Sequence, residues 1–255
     1  MQPATLQYQP CYPIIANLMA ISPEQASSYH EERRTPEHTF RLTEIGGIII
    51  SGNRGTGKTH ILSKLQKRYA IEPIDIGTGV RTDFEQTTGE VFGGARTRAD
   101  GSDLMVDIAQ WDLFRTATPE SPFLLNSWLG AFFAKKMESK GTLPSPILRI
   151  LLYTDPPEVA NERAAKRDAK KKAISVDQAS QENTERFAQD WTQWSQLYPE
   201  LKGLNLYSPG VLDSDKKPFY DLEVDVSNLD KDTPAEVIHK WLVEEIERRK
   251  KQKEA

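Results

Sequence analysis

The residues Gly52-Asn53-Arg54-Gly55-Thr56-Gly57-Lys58-Thr59 carry the most specific chemistry in the chain. They satisfy the spacing G-x-x-x-x-G-K-[ST], which wraps main chain around a polyphosphate. Close approach of an anion leaves no room for β-carbons, and this accounts for Gly52, Gly55 and Gly57. Successive N–H groups and the start of a helix then face the anion, whose negative charge the helix N-terminus favours. Lys58 reaches the β- and γ-phosphates as a point charge, and the Thr59 hydroxyl is placed to ligate Mg²⁺. With Asn53, Arg54 and Thr56 completing the loop, the motif predicts bound ATP and Mg²⁺.

Such a loop works only if a buried strand precedes it and an amphipathic helix follows. Ile45 to Ser51 is a short apolar run, as expected for a strand covered on both faces of a parallel sheet. From Gly57 to about Ala70, Ile61, Leu62, Leu65 and Tyr69 recur at helical spacing. Further strands are expected at Pro73 to Ile76, Phe123 to Asn126, Ile147 to Thr154 and Asp221 to Ser227. Two helical stretches are expected before Phe123, and another helix over Gly130 to Glu138. Asp155-Pro156-Pro157-Glu158 opens a helix with an aspartate cap and runs to about Lys172. Thr233-Pro234-Ala235-Glu236 caps the last helix, with Val237, Ile238, Trp241, Leu242 and Ile246 on one face and a solvated tail from Arg248 to Lys253. Strands alternating with helices predict an α/β fold: a P-loop NTPase three-layer sandwich with a five-stranded parallel sheet, helices on both faces and a helical lid.

The 255 residues divide into an arm with a short helix over 1–44 and a kinase-like domain over 45–255, its lid at about 160–200. The arm is rich in proline, and Ser22-Pro23-Glu24-Gln25 reads as a helix start. A tether, a partner arm or a self-association arm would each suit it. With 33 basic against 37 acidic residues, composition gives no electrostatic reason to expect nucleic acid. Cys11, the single cysteine, excludes an intramolecular disulfide framework and suits a reducing compartment, hence a cytoplasmic location. Leu124 to Ala134, the most apolar stretch, is too short to span a bilayer.

Beyond the loop, the segment from Ile45 to Ile246 resembles the cytidylate kinase family of nucleoside monophosphate kinases, in its archaeal-type branch. Asp75-Ile76-Gly77-Thr78-Gly79-Val80-Arg81 is similar to the family stretch that lines the monophosphate pocket. Leu124-Leu125-Asn126-Ser127-Trp128-Leu129-Gly130 stands where the family has an apolar strand ending Glu-Gly-Arg-Leu-x-Gly. Arg149 to Asp168 resembles the strand and helix that carry Arg163 and Arg167 into the lid, and Ile174 through Arg186 to Tyr198 resembles its return helix.

That resemblance implies an ATP-dependent phosphotransferase with CMP or dCMP as acceptor. It implies that Lys58, Arg163 and Arg167 act on the transferred group, and that Arg81, Asn126, Trp128 and Arg186 meet the acceptor. Arg163, Lys166, Arg167 and Lys170 fall at i, i+3, i+4 and i+7, which makes one basic helix face. The chain departs from the family at Asn126 and Trp128, where glutamate and arginine are expected, and at Trp191 and Gln193, where arginines are. These departures keep two alternatives open: a kinase for a different small acceptor, and an ATP-binding regulatory module with weak transfer. Trp128 or Trp191 could also lie against a planar base. His30, His38, His60 and His239 show no metal-ligand spacing.

Overall fold

The computed structural model describes residues 42–74 and 102–254, with side chains from 106 onward in the second segment. Of the expected arm only residues 42–44 are described, and Leu42 is seated in the core; the rest of the arm, residues 75–101 and Arg81 lie outside the described residues. Nearly all of what is described falls in one compact unit, His38–Asp75 with Gln110–Ala255.

Five parallel strands form its sheet: β1 (Gly47–Gly52), β2 (Pro73–Ile74), β3 (Phe123–Asn126), β4 (Ile147–Tyr153) and β5 (Leu222–Asp225). Their order is β2-β3-β1-β4-β5, so β1 is central, with Ile50 paired to Asn126 on one side and Ile150 on the other. Every residue of β1 is buried, as the run Ile48 to Ile50 requires of a strand covered on both faces, and the Ser51 hydroxyl is satisfied by donating to Ser127 O.

Among the described residues the helices are α1 (Lys58–Tyr69), α2 (Ser102–Thr116), α3 (Gly130–Ser139), α4 (Glu158–Lys172), α5 (Val176–Leu197) and α6 (Thr233–Glu254), with a 3₁₀ turn at Pro199–Leu201. Alternation along β1 divides the core. Ile48 and Ile50 join Leu62 and Leu65 of α1 and Ile238, Leu242 and Ile246 of α6 in one cluster. On the other face, Phe133 of α3 packs at 5.4 Å from Trp111, and Phe114 at 5.6 Å from Phe123. The expected layers are present.

Local details differ from expectation where capping is decided by neighbours. Asp155 does not cap α4: Pro157 holds the cap position without a side-chain bond, and the Thr154 hydroxyl accepts from Ala160 N instead. At α6, the Asp230 carboxylate accepts from Thr233 N at 3.0 Å, so the cap lies upstream of the threonine. Val237 is 40% exposed, because the core-facing row runs through Ile238, Leu242 and Ile246. In place of a merely solvated tail, Arg248 and Arg249 both pair with Glu245.

Arg149 shows how the sheet tolerates charge. Its guanidinium is buried, meets Asp221 through Nε and Nη2 at 3.0 Å each, and meets Glu138 through Nη1 at 2.7 Å. Burial alone would lower its pKa, but these two carboxylates raise it. The pair fixes the start of β5 against β4, whose ladder begins at Ile150 and Leu222.

Candidate functional site: the phosphate loop and its cationic rim

Between β1 and α1 the chain turns through Gly52 (φ 144°), Gly55 (φ 87°) and Gly57 (φ 85°). Thr56 closes the turn by donating from its hydroxyl to Asn53 O at 2.9 Å. Lys58 opens α1, yet its side chain folds back into the loop and donates to Gly52 O at 2.6 Å and Asn53 O at 2.8 Å. Burial, and then the charges of Arg54 and Arg167, push the ammonium down to about 7. A cation held under that penalty is one that an incoming phosphate stabilises strongly.

The rim is built from α4 and α5. Arg54 donates to Asn183 Oδ1 and lies 3.6 Å from Asp168. Burial and the like charge of Arg186 lower the Arg54 pKa, while Asp168 opposes them. Arg167 bonds to Asp168 at 2.9 Å. Arg186 is half exposed and lies 3.7 Å from Asp190. Cations that depress one another in this way mark a site of concentrated positive potential.

The basic face expected along α4 is divided by its partners. Arg163 turns to the end of β5, donating to Val226 O at 3.0 Å and Ser227 O at 2.6 Å. Lys166 pairs with Glu162 at 2.6 Å. Only Arg167 of that group joins Arg54 and Lys58. Helical spacing put all of them on one side, but long side chains end where the tertiary structure supplies acceptors.

Trp128 sits among aromatic rings, 5.9 Å from Phe187, 5.6 Å from Trp194 and 5.8 Å from Tyr207. Tyr207 donates from its hydroxyl to Trp128 O. The Lys58 ammonium is 5.9 Å from the Trp128 ring centroid, within cation–π range. Aromatic surface therefore reaches the phosphate loop at the position where the resembling family has an arginine. Trp191 extends it, stacked at 6.2 Å from Phe187.

Asn126 ends β3 beside Ile50, and its Oδ1 is buried without a hydrogen-bond partner. Thr59 is exposed in the first turn of α1. These neutral oxygens suit Mg²⁺, which keeps waters and takes its charge balance from substrate phosphates. Among the described residues no group of histidine, cysteine or acidic side chains could hold a metal without a ligand's help.

Asp168 and Asn183 were not singled out by the sequence. A signal existed: Ala160, Ala164, Ala165 and Ala169 form the buried row of α4, and Asp168 falls on it. A carboxylate on an alanine stripe needs a partner.

A parallel sheet in this order, with a glycine-rich loop joining its central strand to a helix, is a P-loop NTPase fold. No family model matches the chain, and no curated protein does. Solved structures are similar in outline. An uncharacterized protein from Eubacterium ventriosum is 15% identical with a TM-score of 0.47, covering 78% of this chain and 98% of its own. Shikimate kinase from Bacteroides thetaiotaomicron is 10% identical with a TM-score of 0.43, covering 77% and 97%. The PezAT toxin–antitoxin system of Streptococcus pneumoniae is 14% identical with a TM-score of 0.39, covering 95% and 96%. Likeness at this level carries nothing about activity.

Proposed function

We propose that this protein is an ATP-dependent phosphotransferase of the nucleoside monophosphate kinase type, with CMP or dCMP as the first acceptor to test. One observation carries the reading: the Lys58 ammonium is buried in a positive-φ glycine loop, facing two added guanidinium charges. A bound polyanion would offset both the burial of the ammonium and that repulsion. ATP would take the loop Gly52 to Thr59, with Lys58 on its β- and γ-phosphates. Arg54 and Arg167 would face the transferred group, and Arg163 would hold the end of β5 in place rather than reach the phosphates.

Transfer breaks the bond between Pγ and the β–γ bridging oxygen and forms one between Pγ and an acceptor oxygen, releasing ADP. Stabilising the charge on the phosphoryl oxygens and holding donor and acceptor in line are the protein's contributions. Thr59, with Asn126 nearby, would hold Mg²⁺, which supplies further neutralisation of phosphate charge. Arg81, Asn126, Trp128 and Arg186 are the acceptor-side candidates by position in the resembling family. Residues 1–44 are proposed as a tether, a partner arm or a self-association arm, joined to the domain where Leu42 enters the core.

The contacts of Trp128 favour a second reading, in which the acceptor lies on aromatic surface and is not a pyrimidine monophosphate. ATP consumption by purified protein over a panel of monophosphates and unphosphorylated ring compounds, with and without Mg²⁺, separates the two. Transfer to CMP or dCMP supports the first reading, and transfer only to another acceptor supports the second. ATP binding without acceptor-stimulated turnover would leave a regulatory module.

A further inference from the structure

The Asp168 side chain is 12% exposed, and each of its oxygens is engaged. Oδ1 accepts from Arg167 Nε and lies equally close, at 2.9 Å, to Arg167 Nη2. Oδ2 accepts from Asn183 Nδ2 at 3.2 Å and faces Arg54 Nη1 at 3.6 Å. Because Arg54 also donates to Asn183 Oδ1, one carboxylate joins the phosphate loop, α4 and α5. Burial would raise its pKa, but hydrogen bonds from Arg167 and Asn183, with the charges of Arg167 and Arg54, hold it below the ordinary carboxylate range. It is therefore ionised at neutral pH. Its two guanidinium partners are the groups whose charges depress Lys58; Arg54 is about one-third exposed and Arg167 is 59% exposed, so Asp168 is what ties both of them to the rim of the loop.

Building on the triphosphate reading of the loop, we propose that Asp168 is a positioning residue that holds Arg54 and Arg167 at the rim, set for the transferred phosphoryl group. Fixing flexible cations before reaction lowers the entropic part of the barrier. Asp168 acts through the two arginines and does not meet the phosphates itself. Its carboxylate also competes with phosphate for the same donors. It thus opposes ground-state binding of ATP while favouring the geometry of transfer, and only the second effect raises turnover.

Asp168→Asn keeps the shape of the side chain and removes its charge. Titration with ATP should show binding at least about threefold tighter, while turnover at saturating ATP falls at least about tenfold, with melting close to wild type. Asp168→Glu restores the charge and should return ATP affinity to within about twofold of wild type while recovering part of the turnover. A residue that merely supported the fold would weaken ATP binding and turnover together. Folded Asp168→Asn protein that binds ATP no more tightly than wild type overturns the proposal, as does unchanged turnover. Wild-type protein that fails to bind ATP overturns the reading of the loop instead. Should Asp168→Asn not fold, Asn183→Ala removes the brace and leaves the carboxylate. It should lower turnover at least about threefold with ATP affinity within about twofold; unchanged turnover there overturns the proposal too.

Discussion

A β-carbon at Gly55 would lie 1.9 Å from the carbonyl oxygen of Ala160. The phosphate loop and the first turn of α4 therefore meet backbone to backbone, and the glycine serves that packing as well as any ligand. Gly55→Ala also forces φ 87° on a residue with a side chain. Contact and strain together should cost at least about 2 kcal/mol and displace α4. Chemical denaturation of the variant, beside an ATP titration, checks both effects; an unperturbed midpoint would show that α4 moves away freely.

Lys58 gives a pH dependence with a defined sign. In the folded protein the ammonium loses its proton near 7, against the ordinary 10.5. Between those values the unfolded chain carries the extra proton, so the nucleotide-free protein should gain stability as pH rises from about 7 toward 10. ATP favours the charged lysine, so its binding should take up a proton and weaken as pH climbs above 7. Calorimetric titrations in buffers of different ionisation enthalpy read the proton directly. Lys58→Met should abolish both trends and transfer itself, with the fold intact.

Trp128→Arg would restore the arginine of the resembling family. Here the ring contacts Phe187, Trp194 and Tyr207, and their loss should destabilise the protein by about 3 kcal/mol. Thermal melting and a CMP titration on this one variant separate the possibilities. A lower melting point without tighter CMP binding is expected; full stability with at least tenfold tighter CMP binding would return the acceptor to a pyrimidine monophosphate held by a cation.

Arg149→Met leaves Asp221 and Glu138 without the cation between them. Because Glu138 and Asp221 keep some access to water, losing the charge-assisted hydrogen bonds should cost about 1.5–3 kcal/mol. The added change Asp221→Asn should recover part of that loss, since the uncompensated charge is gone. Urea midpoints of the single and double variants measure the recovery, and strictly additive losses would contradict it.

The phosphate loop, the strands beside it and the helix it opens were legible from residues alone. Each depends on neighbours close in sequence: an apolar run that must be buried, a helical repeat, glycines at fixed offsets. Phe123–Asn126 is a strand with the bounds expected, and Gly130–Ser139 a helix one residue longer than expected. What sequence could not decide was where charged side chains end. Arg163 and Arg167 stand one helical turn apart, yet one holds carbonyls after β5 and the other holds Asp168. Asp155, expected as a cap, gives its N–H to the Ser227 hydroxyl. Gly55 required the approach of α4, and Asp168 required Asn183 and Arg54 from two other elements. A long polar side chain settles on whichever acceptor packing brings near, and that acceptor is set by the whole fold. Periodicity can place a residue on a face, but the contents of the space before that face belong to the tertiary structure.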